Sequence, residues 1–157
     1  MEADDRVIEV ALIEEIDGEL TGKSFNHLIN PDGKPMTEAA IDVTDYSDNF
    51  LKQFPQFYEI ADALLKFIKD AELVCWNVNY DLSNLNRELY NLGKPEILSS
   101  NDAIATDVRT KIRKNHPHLS TLRHHLYLHF DVMVNHKSMS WVQRNCLRMI
   151  ILYQKLN

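Results

Sequence analysis

AELVCWNVNYDLSNLNRELYNLG, residues 71–93, is the stretch that decides the fold. Its first six residues, 71–76, form a short apolar run of the kind found in buried strands. A helical pattern follows almost at once, over residues 81–93, with Leu82, Leu85, Leu89 and Leu92 on one face and Gly93 as its stop. A strand that leads directly into a helix predicts an α/β layer fold, and it places Asp81 at the junction.

The segments before this stretch predict a β-hairpin followed by helices. Residues 6–15 are apolar and β-branched, residues 24–31 alternate, and Asp17-Gly18 between them is a strong hairpin signal. The Pro-Asp-Gly-Lys-Pro stretch at 31–35 predicts a turn. Short helical turns are expected over 37–52, and an amphipathic helix over 56–70.

The segments after it predict one more strand and two more helices. The strand is expected over residues 102–108, and the helices over 118–130 and 138–156. Strands therefore alternate with helices after the hairpin, which favours a mixed sheet with flanking helices.

Composition limits the class of protein. A chain of 157 residues with 45% hydrophobic and 25% charged residues suits a single domain over 1–157. The net charge of −6 excludes binding to nucleic acid through phosphate neutralisation alone. Cys75 and Cys146 lie in apolar stretches, which indicates reduced thiols in a cytoplasmic protein. No signal peptide or membrane span is expected, and so no membrane partner.

Asp81 has two interpretations from its position alone. An aspartate at the start of a helix is a common N-cap, because its carboxylate accepts hydrogen bonds from free backbone N–H groups. A carboxylate after a buried strand is also well placed to hold a divalent metal ion.

Two long segments resemble the DnaQ-like 3′→5′ exonucleases of the DEDD group, a family with a ribonuclease-H-like fold that includes the proofreading subunit of bacterial replicative polymerases. DRVIEVALIEEIDGELTGKSFNHLINP (5–31) is similar to the family's second and third strands. The segment from 50 to 93 is similar to the one that carries the family's second motif. The resemblance implies Mg²⁺ or Mn²⁺ as the cofactor of an active enzyme, with no cofactor as the alternative for an inactive one, and DNA or RNA 3′ ends as partners.

The family site consists of four carboxylates, which hold two metal ions, and a general base. Carried over by position, Asp81 is the metal ligand of the second motif, and Asn77 is that motif's substrate-binding Asn. His136 is the implied catalytic base. The fourth carboxylate is missing in either of two registers, which place Trp141 or Asn145 at its position. Thr44-Asp45-Tyr46 stands where the family has a His-Gly-Ile phrase.

The family's first strand, with its Asp-x-Glu motif, is absent from the sequence. That strand lies in the middle of the family's sheet, so its loss leaves two rows of unpaired backbone groups. Three outcomes are possible: the true chain starts further upstream, the remaining strands close the gap, or another protein or a second copy completes the sheet.

Three functions follow from the resemblance. The first is an exonuclease-family protein that binds or acts on nucleic acid with a degenerate or truncated catalytic site. The second is an active metal-dependent exonuclease whose first motif lies upstream. The third is a protein-interaction module that keeps only the scaffold.

Overall fold

The computed structural model describes residues 5–16, 19–75, 78–97, 104–107 and 148–155. They form an α/β structure, in which a five-stranded sheet has the order β2-β1-β5-β3-β4. The elements in chain order are β1 (Glu9–Ile16), β2 (Glu19–Leu28), α1 (Glu38–Thr44), α2 (Asp48–Leu51), α3 (Phe57–Ile68), β3 (Ala71–Cys75), α4 (Val78–Asn91), β4 (Ile104–Asp107) and β5 (Arg148–Lys155).

The predicted hairpin is confirmed as the antiparallel pair β1 and β2. Leu12 lies opposite Phe25, and the register shifts between Ile13 and Glu15. Strand β2 starts at Glu19, earlier than the predicted 24–31, because Ile16 and Glu19 still pair close to the turn. The turn residues 17 and 18 themselves lie outside the described residues.

The chain between β2 and α3 follows its local sequence signals. Asp32 and Gly33 take positive φ values of 54° and 82°, the left-handed conformation that a tight turn requires here. Thr37 caps α1 by accepting a hydrogen bond from the N–H of Ala40, and Ser47 caps α2 by accepting one from Phe50. The prediction of short helical turns over 37–52 is confirmed.

Helices α3 and α4 pack on the same face of the sheet. The core joins Val10 and Leu12 of β1 to Leu73 and Cys75 of β3. The buried side of α3 consists of Phe57, Ile60, Ala61, Leu64 and Ile68, as its apolar spacing predicts. Leu82, Leu85 and Leu89 of α4 complete this layer. The predictions of a helix over 56–70 and a strand over 71–76 are confirmed.

The middle of the sheet is occupied by β5. This strand runs parallel to β1 and antiparallel to β3, and it is paired along both of its edges. The predicted helix over 138–156 is therefore wrong for residues 148–155, and residues 138–147 lie outside the described part. Met149 to Leu152 are four consecutive apolar residues, a run that suits a strand buried on both faces as well as it suits a helix.

The middle of the sheet is thus occupied by a segment that the sequence pattern assigned to a helix. The free edges of β1 and β3 decide between the two conformations, because each presents backbone groups that need partners. The strand predicted over 102–108 is confirmed as β4, while the helix predicted over 118–130 lies outside the described residues.

Within the described ranges, no helix combines the length and the apolar character that a membrane crossing requires. The assignment of the whole chain to one domain stays a prediction.

A disulfide can test the position of β5. Val74 and Leu152 lie opposite each other across the β3–β5 pair. In a Cys75→Ala, Cys146→Ala background, Val74→Cys with Leu152→Cys is expected to form a disulfide under mild oxidation, because the Cβ atoms of opposite residues lie about 4.5–5.5 Å apart. Oxidation should then raise the free energy of unfolding by about 3 kcal/mol, measured by urea denaturation.

The control for this disulfide shifts one cysteine by a single residue. Val74→Cys with Tyr153→Cys places the two thiols on opposite faces of the sheet, because side chains alternate along a strand. It should stay reduced under the same conditions. Equal oxidation of both pairs would contradict the register of β5.

Candidate functional site

One edge of the sheet carries Asp81, which the sequence singled out as a site residue. Because β2, β3 and β4 run in the same direction, their carboxyl ends reach this edge together, and β1 and β5 begin there. Helix α4 starts at the same edge, and two residues separate it from the end of β3. Open α/β sheets bind ligands outside the carboxyl ends of their strands, so this edge is the candidate site.

Asp81 lies in the first turn of α4, inside the helix. The helix begins at Val78, three residues earlier than predicted, so the N-cap interpretation of Asp81 is wrong. Its side chain is 9% exposed. An acidic residue in a first helical turn is favoured by the positive end of the helix dipole. Metal binding by Asp81 stays a prediction.

The other predicted site residues cannot be placed beside Asp81. Asn77, His136 and both candidates for the fourth acidic position, Trp141 and Asn145, lie outside the described residues. Asp107 ends β4 directly opposite Cys75, so the backbone register brings it to the same edge.

Polar side chains of α4 bind residues 5–7, the segment that leads into β1. Glu88 is 2% exposed, and its carboxylate accepts hydrogen bonds from Nε of Arg6 at 2.9 and 3.2 Å and from the N–H of Val7 at 2.9 Å. The guanidinium of Arg87 donates to the carbonyl of Asp5 and, at 3.0 Å, to Oδ1 of Asn84. The sequence analysis missed these contacts, because a single Glu in a helical pattern normally lies on the solvated face.

The surroundings of Arg6 raise the pKa of its guanidinium overall. The hydrogen bond to Glu88 raises the pKa of Arg6 above its usual value, burial opposes that shift, and the negative charges of Glu88 and Asp32 add to it. The guanidinium is therefore charged at every physiological pH, and it binds the carboxylate as a charge-assisted donor.

These bonds fix where α4 crosses the sheet. The helix leaves the end of β3, and its Glu88 reaches the segment just before β1. Strand β5 lies between β3 and β1. The part of α4 from Val78 to Glu88 therefore spans the edge at which β5 begins.

Whether this edge fits a pair of metal ions depends on its acidic ligands. Two divalent ions need several carboxylate oxygens at close range. In the part of the chain that the structure describes, no three His, Cys, Asp or Glu side chains converge on a common point. Strand β5 reads RMIILYQK and brings no carboxylate to the centre. The described residues do not fit a two-metal centre.

A second feature near this edge is a row of aromatic rings, which we call the aromatic ladder: Tyr46, Phe50 and Phe54. The ring centroids of Tyr46 and Phe50 are 5.3 Å apart with planes inclined at 28°, and those of Phe50 and Phe54 are 5.0 Å apart at 65°. The sequence analysis missed it. Its signal was the spacing of four residues between successive aromatics, at 46, 50 and 54.

Comparison with known proteins gives a consistent family. The model of the RNase T family, described as Exonuclease, matches residues 1–146. The DNA polymerase III subunit epsilon of Rickettsia felis is 38% identical over 108 residues, which cover 68% of this chain and 47% of that protein. The subunit of the same name from Escherichia coli strain K12 is 32% identical over 113 residues, covering 71% of this chain and 46% of that protein.

A third protein of that name, from Buchnera aphidicola subsp. Schizaphis graminum, is 29% identical over 132 residues, covering 84% of this chain and 56% of its own length. The chain therefore spans about half the length of the curated relatives that it matches.

The pair formed by Arg6 and Glu88 should contribute strongly to stability. Glu88→Gln removes the negative charge but keeps the side-chain shape, and we expect it to lower the free energy of unfolding by about 2 kcal/mol in urea denaturation, because it leaves a half-buried guanidinium without its counter-charge. Asp62→Asn is the matched control. It removes the ion pair of an 84% exposed carboxylate with Lys94, and it should change stability little.

The pH dependence of this contribution has a definite sign. The pKa of Arg6 is raised in the folded state, so its stabilisation is fully present below the pKa of the unfolded chain and is lost only as pH rises through the folded value. The difference between Glu88→Gln and the natural chain should thus be constant between pH 6 and 9. A difference that vanished within that range would contradict the assignment.

Proposed function

Since this chain belongs to the Exonuclease family, we propose that it binds the 3′ ends of nucleic acid at the sheet edge beside Asp81 and that it does not hydrolyse them. Membership of the family supports nucleic acid as the ligand. The relatives are named as polymerase III subunits, which supports a protein partner for this chain as well.

The centre of the sheet is the observation that supports the loss of hydrolysis. Strand β5 is paired with β1 on one side and with β3 on the other, so each of those strands has both edges in use. Its sequence contains no Asp or Glu. Any upstream strand that carried an Asp-x-Glu motif would have to displace β5 before its carboxylates came near Asp81.

The arrangement of the strands supports the ribonuclease-H-like fold that the family implies. An antiparallel hairpin, β1 and β2, forms one side of the sheet, and the parallel pair β3 and β4 forms the other. The strand between the two halves is the position of the family's first strand. In the proposed fold, the hairpin β1–β2 and the pair β3–β4 correspond to the two halves of the family's sheet. Strand β5 takes the position of the family's first strand between them.

The roles of single residues follow from the resemblance. Asp81 is the remaining metal-ligand position, Asn77 contacts the substrate, and His136 occupies the position of the general base. The burial of Asp81 at the start of α4 supports its proposed role as a metal ligand. Without further carboxylates, Mg²⁺ or Mn²⁺ would be held weakly at this edge, since hard cations require several oxygen ligands.

A nuclease assay on this chain tests this proposal. A 3′-labelled single strand, offered as DNA and as RNA with Mn²⁺, should release no mononucleotide above the buffer background, because too few carboxylates are present to hold two ions. A 3′→5′ exonuclease of known activity, treated identically, shows whether the assay detects release of mononucleotides.

Binding is measured on the same strands by fluorescence anisotropy with EDTA present, where weak but measurable association is expected. Release of mononucleotides that stops in Asp81→Asn would contradict the loss of hydrolysis. Failure to bind either strand under any condition would contradict the assignment of nucleic acid as ligand.

A further inference from the structure

The segment that leads into β1 runs along α4 toward the start of that helix. The N–H of Val7 donates to the carboxylate of Glu88 at 2.9 Å. Two residues earlier, the carbonyl of Asp5 accepts from the guanidinium of Arg87, which also donates to Oδ1 of Asn84 at 3.0 Å. From Val7 back to Asp5, the contacts on α4 therefore move from position 88 toward position 84.

The pitch of an extended chain and that of a helix give the continuation of this path. An extended chain advances about 3.3 Å per residue and an α-helix about 1.5 Å per residue, so two residues of the segment pass about four residues of α4. Continued in this way, the path brings position 3 beside Tyr80, in the helical turn that also holds Asp81. Residues 1–4 themselves lie outside the described residues.

The guanidinium of Arg87 has donors to spare for an anion on this path. Both of its hydrogen bonds are made by Nη2, and both acceptors are neutral oxygens. Among the described residues, its Nη1 and Nε have no partner and it forms no ion pair, whereas Arg6 is paired with Glu88 at 2.9 Å. A guanidinium carries five N–H donors and binds carboxylates through charge-assisted hydrogen bonds, so Arg87 can hold a carboxylate in addition to its present partners.

The four residues before Asp5 supply matching carboxylates. They read Met-Glu-Ala-Asp, with acidic side chains at Glu2 and Asp4. Asp4 directly precedes the residue whose carbonyl Arg87 binds. In an extended chain Glu2 projects to the same side as Asp4, because side chains alternate with a period of two. The charge of this segment therefore complements the free donors of Arg87.

We propose that residues 1–4, which we call the acidic strap, lie along α4 between Arg87 and Asp81 and cover the sheet edge of the candidate site until a nucleic acid displaces them. This inference rests on the proposed function and adds the regulation of that site. The strap crosses the start of β5, because this part of α4 spans the edge there. Its carboxylates repel phosphates, and the chain binds nucleic acid only in the fraction of molecules whose strap is released.

The first experiment locates the strap without nucleic acid. In a Cys75→Ala, Cys146→Ala background, Ala3→Cys with Tyr80→Cys should form a disulfide about fivefold faster than Ala3→Cys with Asn79→Cys, because only close cysteines with suitable orientation can bridge. Asn79 is the matched control, since it is exposed and its side chain points about 100° around the helix from that of Tyr80. Adding Arg87→Gln to the first pair should slow its oxidation, because the strap loses its anchor.

The second experiment measures what the strap does to binding. Glu2→Gln with Asp4→Asn should strengthen binding of a single-stranded oligonucleotide to the full chain about fourfold at low salt, and the gain should shrink as salt rises, because the removed charges act through solvent. Glu38→Gln with Asp62→Asn is the matched control, with the same change of net charge at exposed carboxylates of α1 and α3. It should change affinity by less than about twofold. Fluorescence anisotropy with EDTA present gives both affinities.

Two results would overturn the strap: equal oxidation rates of the Tyr80 and Asn79 pairs, or a gain in affinity no larger than that of the control variant. In either case nucleic acid still binds, so the proposed function stands. Failure of the natural chain and of every variant to bind would overturn the proposed function and the regulation with it, while the oxidation rates would still decide where residues 1–4 lie.

Discussion

The backbone pairing of β5 with both β1 and β3 is the constraint on which the rest of the structure depends. Without it, two facing strand edges would hold unpaired N–H and C=O groups inside an apolar layer, at a cost of about 1–3 kcal/mol for each buried group. With it, the two strands are held two strand spacings apart, about 10 Å. That separation is what allows α4 to leave β3 and to bind, through Glu88, the segment before β1.

The same pairing carries the proposed loss of hydrolysis, because it places β5 at the centre of the sheet. The sheet edge of the candidate site is formed by the carboxyl ends of β2, β3 and β4. Asp81 lies at this edge, in the first turn of α4. A central strand with acidic residues would add carboxylates to this edge. The sequence of β5 contains no Asp or Glu. The aromatic ladder lies outside this strand, in the segment that follows α1.

The sequence predicted most of the elements but not the middle of the sheet. Local signals were sufficient for the hairpin, the turn at 31–35 and α3, since each depends on residues close together in the chain. They failed for β5, because Met149 to Leu152 are compatible with either conformation and the choice is made by strands more than 70 positions away. Asp81 looked like a cap only because the start of α4 was placed three residues too late. Glu88 and the ladder were missed because their partners, Arg6 and neighbouring rings, are recognised only in three dimensions.

Backbone NMR of residues 148–155 tests the central claim most directly. The account predicts cross-strand nuclear Overhauser effects that link this segment to Glu9–Glu15 on one side and to Ala71–Cys75 on the other, in the observed register. Strong sequential amide–amide effects through Met149 to Leu152, as in a helix, with no contact to either strand, would contradict it.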